Sequence, residues 1–503
     1  TDERLASGEP GPDYWQNEAD YTIEVRLDAE ARRIEGRETI TYTNHSPDDL
    51  ERLWIQLDQN LFRADSRGAR TIGASDRFRR AFEGGGFEIS NVRVTRGGRT
   101  VEPEYVVDDT RMRISLDRPL SARGGSLELS MEFAFTIPQN GASRMGWLDV
   151  EKGTVFELAQ WYPRMYVYDD VRGWDPLPYL GLGEFYLDYG SFDVEITVPR
   201  DFLVMATGRL RNPSEVLTAE QRSRLEEARR SAETVTIVGE EEVGTPEIRP
   251  EGEGPLTWRF RADSVRDFAF AASQAFLWDA ARAREPDGTS TLVMSAYPEE
   301  GLGGEDETGW EESTQFARHS IEFYSEWLAP YPYPVAVNVG GVAGGMEYPM
   351  IVFCSYRARG QALFGVTDHE LGHEWFPMIV GSDERRWFWM DEGLNSFLGH
   401  YSARAHYGED YRGRTGVERI ARMMASPVHD QPSMTRADRL RMYNFGFLSY
   451  RKPAAGLVLL REYVLGPELF DPAFEAYFDR WKYRHPKPAD FFRTIEDVAG
   501  EEL

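Results

Sequence analysis

Apolar and polar residues alternate through most of the first half of the chain. Tyr21 to Leu27, Arg33 to Tyr42, Met112 to Leu116 and Leu127 to Phe135 place apolar side chains at every second position, the period of a half-buried strand. Clusters of Gly, Asn, Pro and Asp separate these runs and predict hairpin-rich sheets. Phe192 to Val198 and Leu203 to Thr207 read as a further strand pair joined by a Pro199-Arg200-Asp201 turn, and strand signals return at Thr234 to Val238 and Leu256 to Phe260. Residues 1–13, polar with two glycines and two prolines, read as a flexible lead-in. Val216 to Ser231 is charged and amphipathic, and reads as a helical surface excursion of the β region.

After Ser264 the period changes. Trp310 to Leu328 repeats at helical spacing and is stopped by Pro330, Pro332 and Pro334. Val335 to Val339 reads as an edge strand, followed by the glycine-rich Gly340 to Gly345. Helices are expected from about 367 to Pro377, from Trp389 to Tyr407 before Gly408, and at roughly 411–425, 444–464, 468–483 and 489–499. The pattern is that of a β domain over residues 1–278 and a mostly α domain over 279–503.

Composition narrows the partners. The net charge is −28, from 57 basic and 85 acidic residues, which argues against nucleic acid and anionic membrane surfaces. Lysine occurs only at 152, 452, 482 and 487, so arginine carries the positive charge. The one cysteine, Cys354, excludes an internal disulfide and a cysteine-based metal site, and its apolar flank makes it a buried small hydrophobe. No apolar run approaches the ~20 residues that span a bilayer. The start at Thr1 is compatible with a removed signal peptide and leans toward export.

One stretch carries chemistry: Thr367-Asp368-His369-Glu370-Leu371-Gly372-His373. Histidines four apart share one face of a helix, so His369 and His373 can hold one Zn²⁺ while Glu370 takes a proton from its water. Eighteen residues later Glu392 opens the next predicted helix, and the intervening loop lets that helix run back toward the histidines. Two His and one Glu leave a fourth metal position open, the arrangement of a catalytic site.

Together with the upstream Gly344-Gly345-Met346-Glu347-Tyr348-Pro349, this pattern resembles the zinc aminopeptidases of the aminopeptidase N and leukotriene hydrolase family, which are gluzincins. The resemblance implies a saddle-like N-terminal β-sheet domain before a thermolysin-like, mostly α catalytic domain. It implies His369, His373 and Glu392 as ligands of one zinc per chain and Glu370 as general base. Glu347 then grips the free α-amine of a peptide, with Gly344, Gly345 and Met346 along the substrate backbone. Tyr450 is expected to stabilise the oxyanion, with Tyr443 as second choice, and Gln160 and Tyr348 to line the first specificity pocket. The implied activity is removal of N-terminal residues from peptides. Endopeptidase cleavage, epoxide hydrolysis and an inactive scaffold are the rivals.

The chain departs from the family pattern at four points. Tyr348 and Asp391 stand where asparagines are usual. Gly399 stands where an acid is common, with Asn395 or His400 as candidates to orient a histidine instead. The chain stops at Leu503, where relatives usually continue into a further helix and often a helical C-terminal domain; the alternatives are a minimal two-domain form, or an additional C-terminal domain that is a separate chain or was removed.

Overall fold

The computed structural model describes residues 1–71, 85–245, 248–305, 307–408, 411 and 417–503 of the 503-residue chain. Alternation produces the expected strands: Tyr21, Ile23, Val25 and Leu27 are buried along Glu18–Asp28, while Thr22, Glu24 and Arg26 face solvent. That strand pairs antiparallel with Arg33–Asn44, which pairs in turn with Gly125–Thr136. These three strands form the middle of an eight-stranded sheet that also contains Gly190–Val198 and Leu256–Val265. Two smaller sheets, of five and four strands, pack their apolar faces into the same core.

A six-stranded sheet begins the second half. Its order is Val235–Val238, Leu277–Arg284, Ser290–Tyr297, Val335–Gly341, Ile351–Ser355, Gly345–Tyr348. Against it lie the helices Ser313–Trp327 and Gly360–Gly372, and Trp389–Tyr407 packs beside both. The helix after Tyr407 is described over Val417–Met424, while 409–410 and 412–416 of its expected span lie outside the described residues. Helical chain runs from Met442 to Leu465 through two wide turns at 446–451 and 460–465, then come Pro467–Trp481 and Pro488–Ala499. An N-terminal β-rich region thus precedes a largely helical region. Among the described residues, no helix is long and apolar enough to cross a membrane.

Five expectations are corrected by tertiary structure. Residues 1–13 are a docked strap: Gly8 O accepts from Trp481 Nε1 at 2.8 Å, and Arg4 is buried between Asp170 and Asp490. Gly190–Val198 and Leu203–Ala206 are not a hairpin, because the first joins the eight-stranded sheet and the second pairs with Phe270–Ser273 in another. Val335–Gly341 is a central strand with parallel neighbours on both sides and every residue buried, which explains its unbroken apolar run. The His369 helix stops at Gly372 rather than near Pro377, since Phe376 adopts φ −136° and ψ 108°. Finally, the helix Ala219–Ala228 does not end an isolated excursion. It leads into Val235–Val238, which joins the six-stranded sheet although it precedes the division expected at 278.

Candidate active site

The site sits where the edge strand Gly345–Tyr348 meets two helix ends. His369 lies in the last turn of Gly360–Gly372, and His373 is the residue that caps it. Glu392 lies in the first turn of Trp389–Tyr407. Glu392 Oε2 is 3.1 Å from His369 Nε2 and 3.3 Å from His373 Nε2, and the two Nε2 atoms are 3.2 Å apart. All three donor atoms fall within 4.8 Å of one another, and two imidazole nitrogens with one carboxylate oxygen fit a Zn²⁺ with an open fourth position. A second trio, Glu347, Glu370 and His373, overlaps the first. The first is the better metal set, because both histidines direct Nε2 at Glu392 while His373 Nδ1 is occupied elsewhere.

The other ring nitrogens are held in place. His373 Nδ1 is 2.8 Å from Phe376 O and 2.8 Å from Asp391 Oδ1. The Asn395 amide nitrogen lies 3.1 Å from His369 Nδ1 and donates to His369 O at 2.7 Å. Asn395 therefore contacts a ligand histidine as considered from the sequence, whereas His400 packs its ring against Tyr401. Asp368, beside His369, accepts hydrogen bonds from Ser320, Tyr324 and Ser402, which moors the helix to both neighbours.

The carboxylates are differentiated by surroundings. Burial raises the Glu370 carboxyl above its ordinary value, against the attraction of the two histidines. Burial likewise raises Glu347 well above its ordinary value. Burial also opposes ionisation of Glu392, but hydrogen bonds from His369 and His373 outweigh it and hold this carboxylate low. A Cβ on Gly345 would collide with Glu370 Oε1 and come within 3.1 Å of Val366 Cγ2, so a side chain here would displace the base.

Tyr450 borders the same cavity and its hydroxyl donates to Glu392 Oε1, placing the phenol at the metal position. Tyr443 is half exposed and pairs with Arg441 instead.

A family model described as the Peptidase family M1 domain matches residues 318–503, the stretch that supplies the metal set, Glu370, Glu347 and Tyr450. The chain is thus similar to peptidase family M1 over its C-terminal 186 residues. It is 25% identical to aminopeptidase M1-A of Oryza sativa subsp. japonica over 45% of its own length and 27% of the relative. It is 24% identical to aminopeptidase N of Lactococcus lactis subsp. lactis over 39% and 26% of the two chains. The chain thus spans about a quarter of the length of these relatives. An M1 zinc metallopeptidase from Deinococcus radiodurans shares the fold, with TM-score 0.62 at 16% identity over 99% of this chain and 94% of that one. A mutant M1 zinc metallopeptidase from the same organism, bound to a Tyr-Ser-Ala substrate, gives 0.63 at 17% identity, over 98% and 94%.

Three expected residues stand off the cavity wall. Gln160 is buried behind it, donating to the Tyr179 hydroxyl at 3.3 Å. Tyr348 alternates to the opposite side of its strand from Glu347 and packs between Phe185 and Phe353. Gly344 is exposed with open space around it. Gly345, Met346 and Glu347 do line the cavity. The β region contributes Arg144 and Glu184 instead of Gln160, and the loop after His373 contributes Glu384 and Phe388. No motif marks these four; only the pairing of distant segments brings them in.

Proposed function

We propose that this chain is a zinc-dependent aminopeptidase. The observation that carries the reading is Glu347: a buried carboxylate on the wall of the cavity that also holds the metal set and Glu370. A carboxylate there favours an ammonium at one fixed distance from the metal, and an internal peptide bond has none to offer. Glu347 therefore makes the endopeptidase reading the weaker one.

His369, His373 and Glu392 would hold a zinc ion, which would supply Lewis acidity and lower the pKa of water. Glu370 accepts the proton of the attacking water and passes it to the leaving nitrogen. Its raised affinity for a proton suits both halves of that transfer. The Tyr450 hydroxyl, already turned to the metal position, donates to the oxyanion as charge develops. Gly345 permits the substrate backbone to run beside its own strand without a side chain in the way.

The deciding experiment measures hydrolysis of alanyl and leucyl fluorogenic amides, each free and N-acetylated, with zinc content determined on the same protein. Turnover of a free amide that disappears on acetylation and on chelation is the expected result. Zinc-loaded protein that cleaves the acetylated forms equally well would replace this reading with an endopeptidase.

A further inference from the structure

We infer that the enzyme accepts a short first side chain, that of glycine, alanine or serine, because a buried ion pair between Arg144 and Glu184 closes the cavity opposite the metal. This rests on the aminopeptidase reading and names its substrate class. The cavity bounded by His369, Glu392, Glu347 and this pair has a volume of about 50 Å³. On this measure one water needs about 10–15 Å³, so the cavity holds only a few waters and lies far below the roughly 300 Å³ or more of pockets that take large ligands.

The Glu184 side of the wall is clamped. Arg144 Nε lies 2.5 Å from Glu184 Oε1, with side chains 6% and 1% exposed. Behind the pair, Tyr179 and Tyr348 are fully buried. The segment that carries Glu184 is clamped to the loop after the zinc helix: Phe185 N donates to Glu384 Oε2 at 2.7 Å, and Glu384 N donates to Phe185 O at 3.3 Å. A Cβ on Gly183 would meet Arg385 Cα at 2.9 Å, so these backbones are already in contact. Retraction of the wall would have to break all of these contacts together.

Charge adds to size. Among the described residues, Glu184 Oε2 is buried without a hydrogen-bond partner. A leucine or phenylalanine side chain would press apolar surface onto this ion pair and strip it of what water reaches it. An acidic first residue would meet Glu347, Glu184 and Glu384 together. A methyl or hydroxymethyl group leaves the pair intact, and a serine hydroxyl can donate to the carboxylate-rich wall. Lysine and arginine satisfy the charge but exceed the space.

The test is a kcat/KM panel of glycyl, alanyl, seryl, leucyl, phenylalanyl and arginyl amides with the zinc-loaded full chain. The expected result is at least about a 10-fold preference for the three small residues over each large one. In the double variant Arg144→Ala/Glu184→Ala, which removes both charges and leaves neither stranded, the leucine-to-alanine ratio should rise at least about 10-fold. Equal or better turnover of leucyl, phenylalanyl or arginyl amides by the unmodified chain overturns the inference and leaves the aminopeptidase reading standing. Failure to cleave any free amide while zinc is bound overturns both. The unmodified chain decides the matter even if the double variant does not fold.

Discussion

The two faces of the cavity are built in opposite ways. The metal face comes from two helix ends and one loop, with His369, Glu370, His373 and Glu392 inside 24 consecutive residues. The facing wall joins Arg144 and Glu184 of the β region to Glu384, 200 residues beyond Glu184. The metal face keeps its carboxylates poised against a cation that it must bind. The far wall neutralises itself, carboxylate against guanidinium, within the protein. The metal set therefore sits on short-range spacing, and the proposed selectivity on a long-range fit that local sequence does not encode.

That division can be broken most sharply at Glu370. Glu370→Gln should lower kcat by at least ~10³-fold while zinc content, read by metal analysis, stays at one per chain. Loss of zinc in step with activity would place Glu370 among the structural groups of the metal face. Next in size, Tyr450→Phe should reduce kcat by about 10²- to 10³-fold with KM little changed, since the hydroxyl acts on charge that appears only in the transition state. A fall confined to KM would show that Tyr450 binds substrate instead.

Asp391→Ala probes what stands behind the metal face. Its carboxylate lies against His373 Nδ1, so its removal should weaken zinc retention by about 10- to 100-fold in a chelator-competition titration. An unchanged zinc affinity would assign the orientation of His373 to the Phe376 carbonyl alone.

The smallest effect concerns the framework of the far wall. Asp169 accepts from Tyr186, two residues from Glu184, and from Lys487 Nζ at 2.6 Å. Burial works against its ionisation, but the Lys487 ammonium and the hydrogen bonds prevail and lower its pKa from 3.8 to about 2. A lowered acid stabilises the fold above the unfolded pKa, and that contribution fades as pH falls from about 4 through 2. Asp169→Asn should therefore cost about 2 kcal/mol at pH 7, with the difference from the unmodified chain shrinking over that interval in urea titrations. A difference that is flat between pH 7 and pH 2 would mean the ion pair contributes nothing.

Much of the metal face was legible because helical spacing alone sets which residues share a side. His369 and His373 are one turn apart in any helix, and the helix expected over Trp389–Tyr407 is the one found. The helix end at Gly372 was not legible: Phe376 leaves helical geometry in a turn where its carbonyl meets His373 and its ring packs on Tyr477, a contact 101 residues away. Gln160 was misplaced for a related reason. Its neighbours Trp161 and Tyr162 belong to the core, and with φ +52° its side chain turns to Tyr179 behind the cavity. The N-terminal strap looked flexible because it has few apolar residues, yet it is held by backbone carbonyls and by Arg4, partners that composition does not reveal.

By itself, then, the sequence determined which two histidines and which glutamates come together, and the order of a β region before a helical one, all of which follow from spacings of a few residues. Only tertiary structure decided which residues of the β region face the metal position, how little space they leave, and which strands are central. Those depend on segments hundreds of residues apart, and the burial that makes Arg144 and Glu184 a rigid wall exists only once the segments have packed together.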